Sequence, residues 1–271
     1  MSRRGFQGAA VVVTGGGSGL GRAIALRFAA AGANIALLDI DTEALVASAA
    51  AVRALGARCL SVPCDVRDAP ECAAAIDRAV GEFGRLDVLV NNAGISHRSA
   101  FATTDPAVLR RVMEVNFFGA VQATHAALAH LRRSNGLIIV ISSVAGFAPL
   151  IARTGYAASK HALHGFFESL RTELSGDGVD ILMVCPSFIA TGIDAHALGA
   201  DGQPARQAQL VVGRRLSPEA VADRIFESAA AGRTRLLVGR TAWLAWWLSR
   251  LAPSAYARLM ARRLRGELGQ D

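Results

Sequence analysis

Short runs of apolar residues recur along this chain, separated by longer stretches in which apolar residues return every three or four positions. Uninterrupted apolar runs are typical of parallel strands buried on both faces, and the longer period is typical of helices that cover such a sheet. The alternation predicts a doubly wound α/β domain with a mostly parallel, seven-stranded sheet and helices on both faces. The predicted strands lie near residues 9–14, 34–38, 58–62, 86–90, 137–142, 180–184 and 236–238.

The predicted helices fill the intervals between the strands, near residues 22–31, 42–55, 70–83, 105–131, 156–174 and 218–230. One segment, residues 187–216, has scattered glycines and no regular apolar spacing, which is typical of a lid or binding loop. We therefore predict one domain over residues 1–240, with a substrate loop at 187–216, and a Trp- and Arg-rich helical extension over 241–271.

The composition indicates a folded chain with one sizeable core. Of its 271 residues, 52% are hydrophobic and 19% charged, which is too apolar for disorder. The four cysteines form no CxxC pair, so we expect neither a metal site nor a disulfide framework, and a cytoplasmic location is the simplest prediction. No apolar run reaches the length of a signal peptide or a transmembrane helix.

The net charge of +7 is concentrated at the C-terminus. Residues 232–271 hold eight Arg and two acidic residues, so the rest of the chain carries only about +1. A near-neutral body argues against nucleic acid as a partner. The same end holds all three Trp, and Leu244, Trp247, Leu248 and Leu251 have helical spacing. Such a helix is predicted to contact another subunit, to cover a substrate pocket, or to lie on a membrane surface.

A cluster of glycines follows the first predicted strand and precedes a predicted helix. Gly15, Gly19 and Gly21 have the spacing GxxxGxG, with Ser18 and Leu20 between them. Glycine lets a ligand approach the backbone, and the N–H groups at a helix N-terminus favour a pyrophosphate. The position of the cluster predicts a dinucleotide-binding turn.

Asp39 ends the second predicted strand. A carboxylate there is placed to accept hydrogen bonds from an adenosine ribose and to repel a 2′-phosphate. No Arg follows Asp39 directly, or lies at positions 16–18, to neutralise such a phosphate, so we predict NAD rather than NADP. The alternative is that Asp39 caps the next helix, a task that Asp41 and Thr42 can also perform.

Short polar signatures follow two more strands. Asp65 and Val66 follow the third strand, where a carboxylate can reach an adenine edge. Asn92, Ala93 and Gly94 follow the fourth, where they offer small residues and backbone groups beside the cofactor. Because the carboxyl ends of parallel strands meet at one edge of the sheet, we expect all five in one site.

The only lysine of the chain lies four residues after one of its two tyrosines. On a helix Tyr156 and Lys160 share one face, and an ammonium lowers the pKa of a nearby phenol from about 10 towards neutrality. A proton donor and acceptor at physiological pH needs such a pKa. Ser142 and Ser143 end the fifth strand, where a hydroxyl is placed to hold a substrate oxygen, and Asn116 is locally unfavourable inside a predicted helix.

Together these motifs resemble the classical short-chain dehydrogenase/reductase family. The resemblance covers about residues 8–191 and rests on TGGGSGLG at 14–21, NNAG at 91–94, Asn116, Ser143 and YAASK at 156–160. Ser143 lies thirteen residues before Tyr156, as in the family, which favours it over Ser142. The resemblance implies a Rossmann fold and a hydride transfer between a nicotinamide and a carbon that bears an alcohol or carbonyl oxygen.

The resemblance also implies a role for each matching residue. Tyr156 is the general acid and base, Lys160 lowers its pKa and holds the nicotinamide ribose, and Ser143 positions the substrate oxygen. Asn116 orders a water that passes the proton onward. A homodimer or homotetramer is implied in the same way.

One departure from the family pattern follows the sixth strand, where Pro186 precedes Ser187 instead of a glycine. Thr191 still lies where a family Thr contacts the nicotinamide carboxamide or a phosphate. Pro186, Ile189 and Thr191 therefore complete the predicted cofactor site.

The substrate walls are expected at residues 95–101, 147–151 and 188–216. Their apolar side chains predict a hydrophobic secondary alcohol or ketone: Phe101, Phe147, Leu150, Ile151 and Phe188. An acid or thioester is the alternative, because the same segments contain basic side chains that are mostly expected to be solvated: His97, Arg98, Arg153, Arg206, Arg214 and Arg215.

Two other functions are open on the same fold. A nucleotide-sugar epimerase or dehydratase also uses Tyr-xxx-Lys, but it needs a larger C-terminal substrate domain. A cofactor-sensing regulator or scaffold has no need of the complete set Asn116, Ser143, Tyr156 and Lys160.

Overall fold

The sheet has seven strands in the described part of the chain, all parallel, in the order β3-β2-β1-β4-β5-β6-β7. The computed structural model describes residues 4–194, 196–205, 215–264 and 266. The strands are β1 (Ala10–Thr14), β2 (Asn34–Asp39), β3 (Cys59–Pro63), β4 (Val88–Asn91), β5 (Leu137–Ile141), β6 (Asp180–Pro186) and β7 (Arg235–Val238). The predicted doubly wound fold is confirmed, and the pairing is parallel throughout.

The helices pack in two layers, one on each face of the sheet. Side chains of α1, α2 and α7 share one apolar cluster, and those of α3, α5 and α6 share the other. The helices are α1 (Gly19–Ala29), α2 (Thr42–Ala54), α3 (Ala69–Phe83), α4 (Pro106–Met113), α5 (Gly119–Ser134), α6 (Thr154–Glu173), α7 (Pro218–Ala230), α8 (Arg240–Leu251) and α9 (Pro253–Leu264).

Strand β1 shows why uninterrupted apolar runs build this sheet. Val11 and Val13 pack into the cluster beneath α1 and α7, whereas Val12 packs into the cluster beneath α3 and α5. All three are fully buried, and each such burial contributes roughly 1.5–3 kcal/mol. A polar residue at any of the three positions would face a core.

The helix predicted over residues 105–131 is divided in two. α4 ends at Met113, a π-helical turn spans Glu114–Phe118, and α5 begins at Gly119. Apolar spacing does not distinguish a π turn, with its one additional residue, from continuous α-helix. Asn116 lies in this turn and is buried.

The order of the strands reverses between β1 and β4, and their carboxyl ends flank a crevice where ligands bind in folds of this kind. The segment predicted as a loop, 187–216, is irregular where it is described, apart from the short 3₁₀ helix Gly192–Asp194 and single bridges; residues 195 and 206–214 lie outside the described chain.

Helices α8 and α9 follow β7 and form a third apolar cluster. It joins Ala242, Ala245, Tyr256 and Met260 to residues that follow β5. Among the described residues no helix is long and apolar enough to cross a membrane. The division of the chain at residue 240 stays a prediction.

Candidate active site

A cavity of about 870 Å³ opens at the carboxyl ends of the strands. All of the predicted catalytic and cofactor residues line it except Gly21 and Asn116, which lie directly behind lining residues. The predicted residues that line it are Gly15, Ser18, Gly19, Leu20, Asp39, Asp65, Val66, Asn92, Ala93, Gly94, Ser143, Tyr156, Lys160, Pro186, Ile189 and Thr191.

The glycine-rich turn leaves the N-terminus of α1 open to the cavity. Ser18 is the N-cap residue, yet among the described residues its side chain makes no capping hydrogen bond. A Cβ on Gly15, whose φ is +63°, would lie 2.9 Å from the Cα of Ala93. Free N–H groups at such a helix N-terminus suit a pyrophosphate.

Gly21 packs closely against the glycine-rich turn and does not line the cavity. A Cβ at this position would overlap the carbonyl oxygen of Gly15 and lie 2.5 Å from Nδ2 of Asn92. Gly21 therefore allows close packing of α1 against its own preceding turn, and its predicted part in cofactor binding stays a prediction.

Asn92 ties the end of β4 to the glycine-rich turn. Its Nδ2 donates to the carbonyl oxygens of Thr14 and Gly15, each at 3.0 Å. The backbone N–H groups of Asn92 and Ala93 donate to the Thr14 hydroxyl at 3.0 and 3.1 Å. The Asn92 side chain thus holds the turn in its conformation, and the small residues Ala93 and Gly94 line the cavity.

Asp39 supports the same turn from the end of β2. Its Oδ2 accepts from the N–H of Gly17 at 2.9 Å, and its Oδ1 accepts from the N–H of Asp41 at 3.1 Å. Asp41 caps α2, because its Oδ1 accepts from the N–H of Ala44 at 3.0 Å. Asp39 is therefore not the cap of α2, and its carboxylate lies at the cavity wall.

Arg67 is a cavity residue that the sequence reasoning missed. Its Nε donates to both carboxylate oxygens of Asp65, at 3.0 and 2.9 Å. The guanidinium holds the pKa of the Asp65 carboxyl below its ordinary value, and the carboxylate raises the pKa of Arg67. Asp65 thus lines the end of the cavity that is predicted to bind adenine, and it does so as one half of an ion pair. In the sequence, the signal for this ion pair is the Arg two residues after Asp65.

Tyr156 and Lys160 lie one turn apart on α6, as predicted. The Nζ of Lys160 is 5.7 Å from the centroid of the Tyr156 ring and donates to the carbonyl oxygen of Ile141 at 2.9 Å. Burial lowers the pKa of Lys160 from 10.5 to about 8. A Cβ on Gly94 would lie 3.2 Å from Oδ1 of Asn116 and 3.7 Å from the same Nζ, so the glycine lies next to both side chains. A buried ammonium beside a phenol favours the phenolate.

The two serines after β5 have different partners. Ser142 is buried; its Oγ donates to the carbonyl oxygen of Lys160 at 3.4 Å and hydrogen-bonds with Nε2 of His164 at 3.0 Å. The Oγ of Ser143 accepts from the N–H of Ala145 at 3.1 Å and lines the cavity. Both serines line the cavity, but the Oγ of Ser142 is already engaged with Lys160 and His164, which favours Ser143 as the residue that contacts a substrate. His164 was missed, although it lies one helical turn after Lys160.

Asn116 supports the cavity wall from behind. Its Oδ1 accepts from the N–H of Ile95 at 2.8 Å, and its Nδ2 donates to the carbonyl oxygen of Ile95 at 3.0 Å and to Oγ of Ser159 at 2.9 Å. Ser159 in turn donates to the carbonyl oxygen of Tyr156 at 2.8 Å. The side chain therefore links the loop after β4 to α6, and the water-ordering role stays a prediction.

The loop after β6 keeps its attachment to the sheet despite the departure at Ser187. The N–H of Ser187 donates to the carbonyl oxygen of Val238 at 3.3 Å, and the residue lines the cavity. A Cβ on Gly19 would lie 3.4 Å from the Cβ of Thr191, so the loop packs on the glycine-rich turn.

The apolar substrate wall differs in part from the prediction. Leu150 and Phe188 line the cavity. Phe101, Phe147 and Ile151 do not line it. Phe101 is 68% exposed, the ring centroids of Phe147 and Trp246 lie 4.9 Å apart in an edge-on contact, and Ile151 packs on the C-terminal cluster. Spacing along the chain does not tell which side of an irregular loop faces a cavity.

Three basic residues near the substrate end are buried, which corrects the expectation that they are solvated. They are His97, Arg98 and Arg153, and Arg153 lines the cavity. Burial, together with the charge of Arg153, lowers the pKa of His97 to about 4. Arg215 is exposed, as expected. Outside the described residues lie Arg206 and Arg214.

The two C-terminal helices close the substrate end of the cavity. Leu244 and Leu248 of α8 line it, as do Tyr256, Leu259 and Met260 of α9. Pocket cover, one of the three roles predicted for this segment, is therefore present in the structure.

The sheet order and the glycine-rich first turn define a Rossmann-type dinucleotide-binding protein. The family model described as short chain dehydrogenase matches residues 9–200. The chain belongs to the short-chain dehydrogenase/reductase family, and it is an oxidoreductase of that family.

Named relatives match along nearly the whole chain. The Bos taurus protein named dehydrogenase/reductase SDR family member 7B is 40% identical over 270 residues, which cover 96% of this chain and 82% of the relative. The Mycobacterium tuberculosis protein SadH is 36% identical over 262 residues, which cover 94% of this chain and 95% of the relative.

Two solved structures share the fold. A short-chain dehydrogenase/reductase from Burkholderia phymatum in complex with NAD has a TM-score of 0.85 and 28% identity, over 93% of this chain and 96% of that one. A short-chain dehydrogenase from Mycobacterium paratuberculosis bound to NAD has a TM-score of 0.76 and 26% identity, over 86% and 97% of the two chains.

Proposed function

We propose that the protein is an NAD-dependent oxidoreductase that interconverts a hydrophobic secondary alcohol and its ketone. One observation carries the proposal: a single cavity has Asp39 at one end and Ser143, Tyr156 and Lys160 together on another wall. The site thus combines a nucleotide-binding end with a proton-transfer end.

The nucleotide end suits NAD. The N–H groups at the start of α1 lack a side-chain cap among the described residues, and the bare backbone at Gly15 and Gly19 gives a pyrophosphate access to them. The Asp39 carboxylate would accept hydrogen bonds from the ribose and repel the 2′-phosphate of NADP. Both solved relatives described above contain NAD. When bound, the cofactor would accept or supply the hydride.

Tyr156 is the general acid and base of the proposed reaction. In oxidation its phenolate oxygen takes the proton of the substrate hydroxyl, and in reduction its phenol returns that proton to the carbonyl oxygen. The Lys160 ammonium favours the phenolate, and the Ser143 hydroxyl donates a hydrogen bond to the substrate oxygen. The hydrogen bonds of Asn116 and Ser159 keep α6 in place against the loop after β4.

The apolar residues at the substrate end support a hydrophobic substrate. Leu150, Phe188, Leu244 and Met260 line the same cavity as Tyr156. A homodimer or homotetramer and a cytoplasmic location belong to the same proposal, from the family resemblance and the cysteine content.

The experiment is a titration of the purified protein with NADH and NADPH, followed by a turnover screen. Oxidation of aliphatic, aromatic, steroid and hydroxyacyl alcohols is followed by the absorbance of the reduced nicotinamide, with NAD and then NADP. We expect tighter binding of NADH and turnover of an apolar secondary alcohol. If the protein bound neither NADH nor NADPH, the proposal would be contradicted. Binding without any turnover would favour a cofactor-sensing regulator.

A further inference from the structure

Helix α8 turns its small residues inward and its large apolar residues outward. Ala242 and Ala245 are buried in the C-terminal cluster. Five large apolar residues are between 39% and 76% exposed, and at about 100° per residue their positions fall on one side of the helix. We call these five residues, with the exposed Leu259 of α9, the Trp–Leu face: Trp243, Leu244, Trp247, Leu248, Leu251 and Leu259.

The two helices that carry this face are rich in cations and contain no acidic residue. Residues 240–264 include neither Asp nor Glu. Their five arginines are all exposed: Arg240, Arg250, Arg258, Arg262 and Arg263. The guanidinium of Arg250 lies over the Trp246 ring, 3.3 Å from its centroid, which brings one cation close to the apolar surface.

This combination complements the surface of an anionic lipid bilayer. Trp and Leu enter the boundary between headgroups and acyl chains, and arginines bind the lipid phosphates. A second copy of the chain suits the surface less well, because a twofold contact would bring the arginine-rich helices of the two copies together, and like charges repel.

The substrate end of the cavity reaches the same surface. Leu244, Leu248 and Leu259 belong to the Trp–Leu face and also line the cavity. A protein lying on a bilayer through this face would therefore have its cavity next to the lipid.

We propose that the Trp–Leu face docks on an anionic lipid bilayer and that the cavity receives a long-chain, lipophilic alcohol or ketone from it. The docking stands on the exposed apolar and basic residues alone. The choice of substrate rests on the proposed function.

Docking is tested by sedimentation of the full chain with vesicles of phosphatidylcholine alone or mixed equally with phosphatidylserine. Trp247→Glu and Leu251→Glu place a charge in the face without touching the cavity lining. Leu55→Glu is the matched control, because Leu55 lies at the end of α2 and is 50% exposed. We expect the wild type and the control to pellet with the anionic vesicles, less so at high salt, and each face variant to bind at least about tenfold more weakly.

Two results would overturn the docking. In the first, the wild type stays in the supernatant, or the face variants pellet with the anionic vesicles as well as the wild type does. In the second, Leu251→Glu converts an oligomer into a monomer while vesicle binding is unchanged, because the face would then be a subunit contact.

Delivery from the bilayer is tested by turnover of a short, water-soluble alcohol and of a long-chain alcohol held in the vesicles. We expect Leu251→Glu to leave the first rate unchanged and to lower the second by about the loss in vesicle binding. Equal rates with the vesicle-borne alcohol for wild type and variant would overturn delivery. Pelleting without turnover of either alcohol would leave the docking supported and count against the proposed function.

Discussion

The ammonium of Lys160 donates a hydrogen bond to the carbonyl oxygen of Ile141, 2.9 Å away, inside the protein. The end of β5 thereby fixes a cation of α6 beside the Tyr156 phenol. Burying a cation costs free energy, so this arrangement lowers the free energy of unfolding while it places the cation in the candidate active site. The lowering of the Lys160 pKa from 10.5 to about 8 is a consequence of that cost.

Replacing Lys160 with Met tests the penalty through pH. The pKa of Lys160 in the folded chain, about 8, lies below its ordinary value of 10.5. Between these values the unfolded chain binds more protons, so the free energy of unfolding of the wild type rises with pH, by about 3 kcal/mol in all. Lys160→Met lacks this rise. Urea unfolding of both proteins from below pH 8 to above pH 10 measures the difference, and parallel curves would count against a buried ammonium.

His97 has an effect of the same sign in a second, acidic pH range. Its pKa in the folded chain is about 4, below the ordinary 6.5, and its ring nitrogens find no hydrogen-bond partner among the described residues. As the pH falls from 6.5 towards 4, the unfolded chain takes up the proton first, so stability is lost, by about 3 kcal/mol. His97→Leu removes this share of the acid sensitivity. Thermal melts over that range check it, and an unchanged acid slope would contradict the assignment.

Asp39→Asn is expected to shift the preference from NAD towards NADP. The amide keeps an oxygen that accepts from the N–H of Gly17, but it loses the acceptor for the N–H of Asp41 and the charge that repels a 2′-phosphate. The ratio of kcat/KM for NAD over NADP should fall by about tenfold or more. Asp41→Asn is the matched control, since this neighbouring carboxylate only caps α2, and it should leave the ratio unchanged. The same ratio in all three proteins would remove Asp39 from the cofactor site.

Two Gly→Ala changes in helices are expected to act in opposite directions. Gly21→Ala places a Cβ against the carbonyl oxygen of Gly15, so it should lower the free energy of unfolding by about 1–3 kcal/mol and weaken NADH binding. Gly81→Ala in α3 meets nothing within 4 Å and should raise the free energy of unfolding by roughly 0.5–1 kcal/mol. Chemical unfolding and NADH titration measure both, and a Gly21→Ala protein that binds NADH normally would contradict the close packing of the turn.

Most of the fold was predictable because the central strands, such as β1 and β5, are nearly unbroken apolar runs between glycine-rich or polar turns. The π turn at Glu114–Phe118 was not, since it adds one residue without altering the apolar spacing that a helix shows. The orientation of α8 was not predictable either. Its apolar stripe is outside, and the side that packs on the third apolar cluster carries the small residues Ala242 and Ala245.

The candidate site was predictable where local motifs bring the residues to strand ends. Gly15, Asp39, Ser143 and Tyr156 all line one cavity as expected. Contacts between distant segments were not predictable, because the burial of Arg153 and the approach of Tyr256 to the cavity depend on tertiary packing.

The most direct test of the proposed proton transfer is turnover by Tyr156→Phe with NAD and the best alcohol from the screen. The change removes one oxygen and leaves Lys160 and the nucleotide end in place. We expect kcat to fall on the order of 10²–10⁴-fold while the affinity for NADH stays within about twofold of the wild type. Turnover that survives at the wild-type rate would contradict the role of Tyr156 as the proton-transfer group.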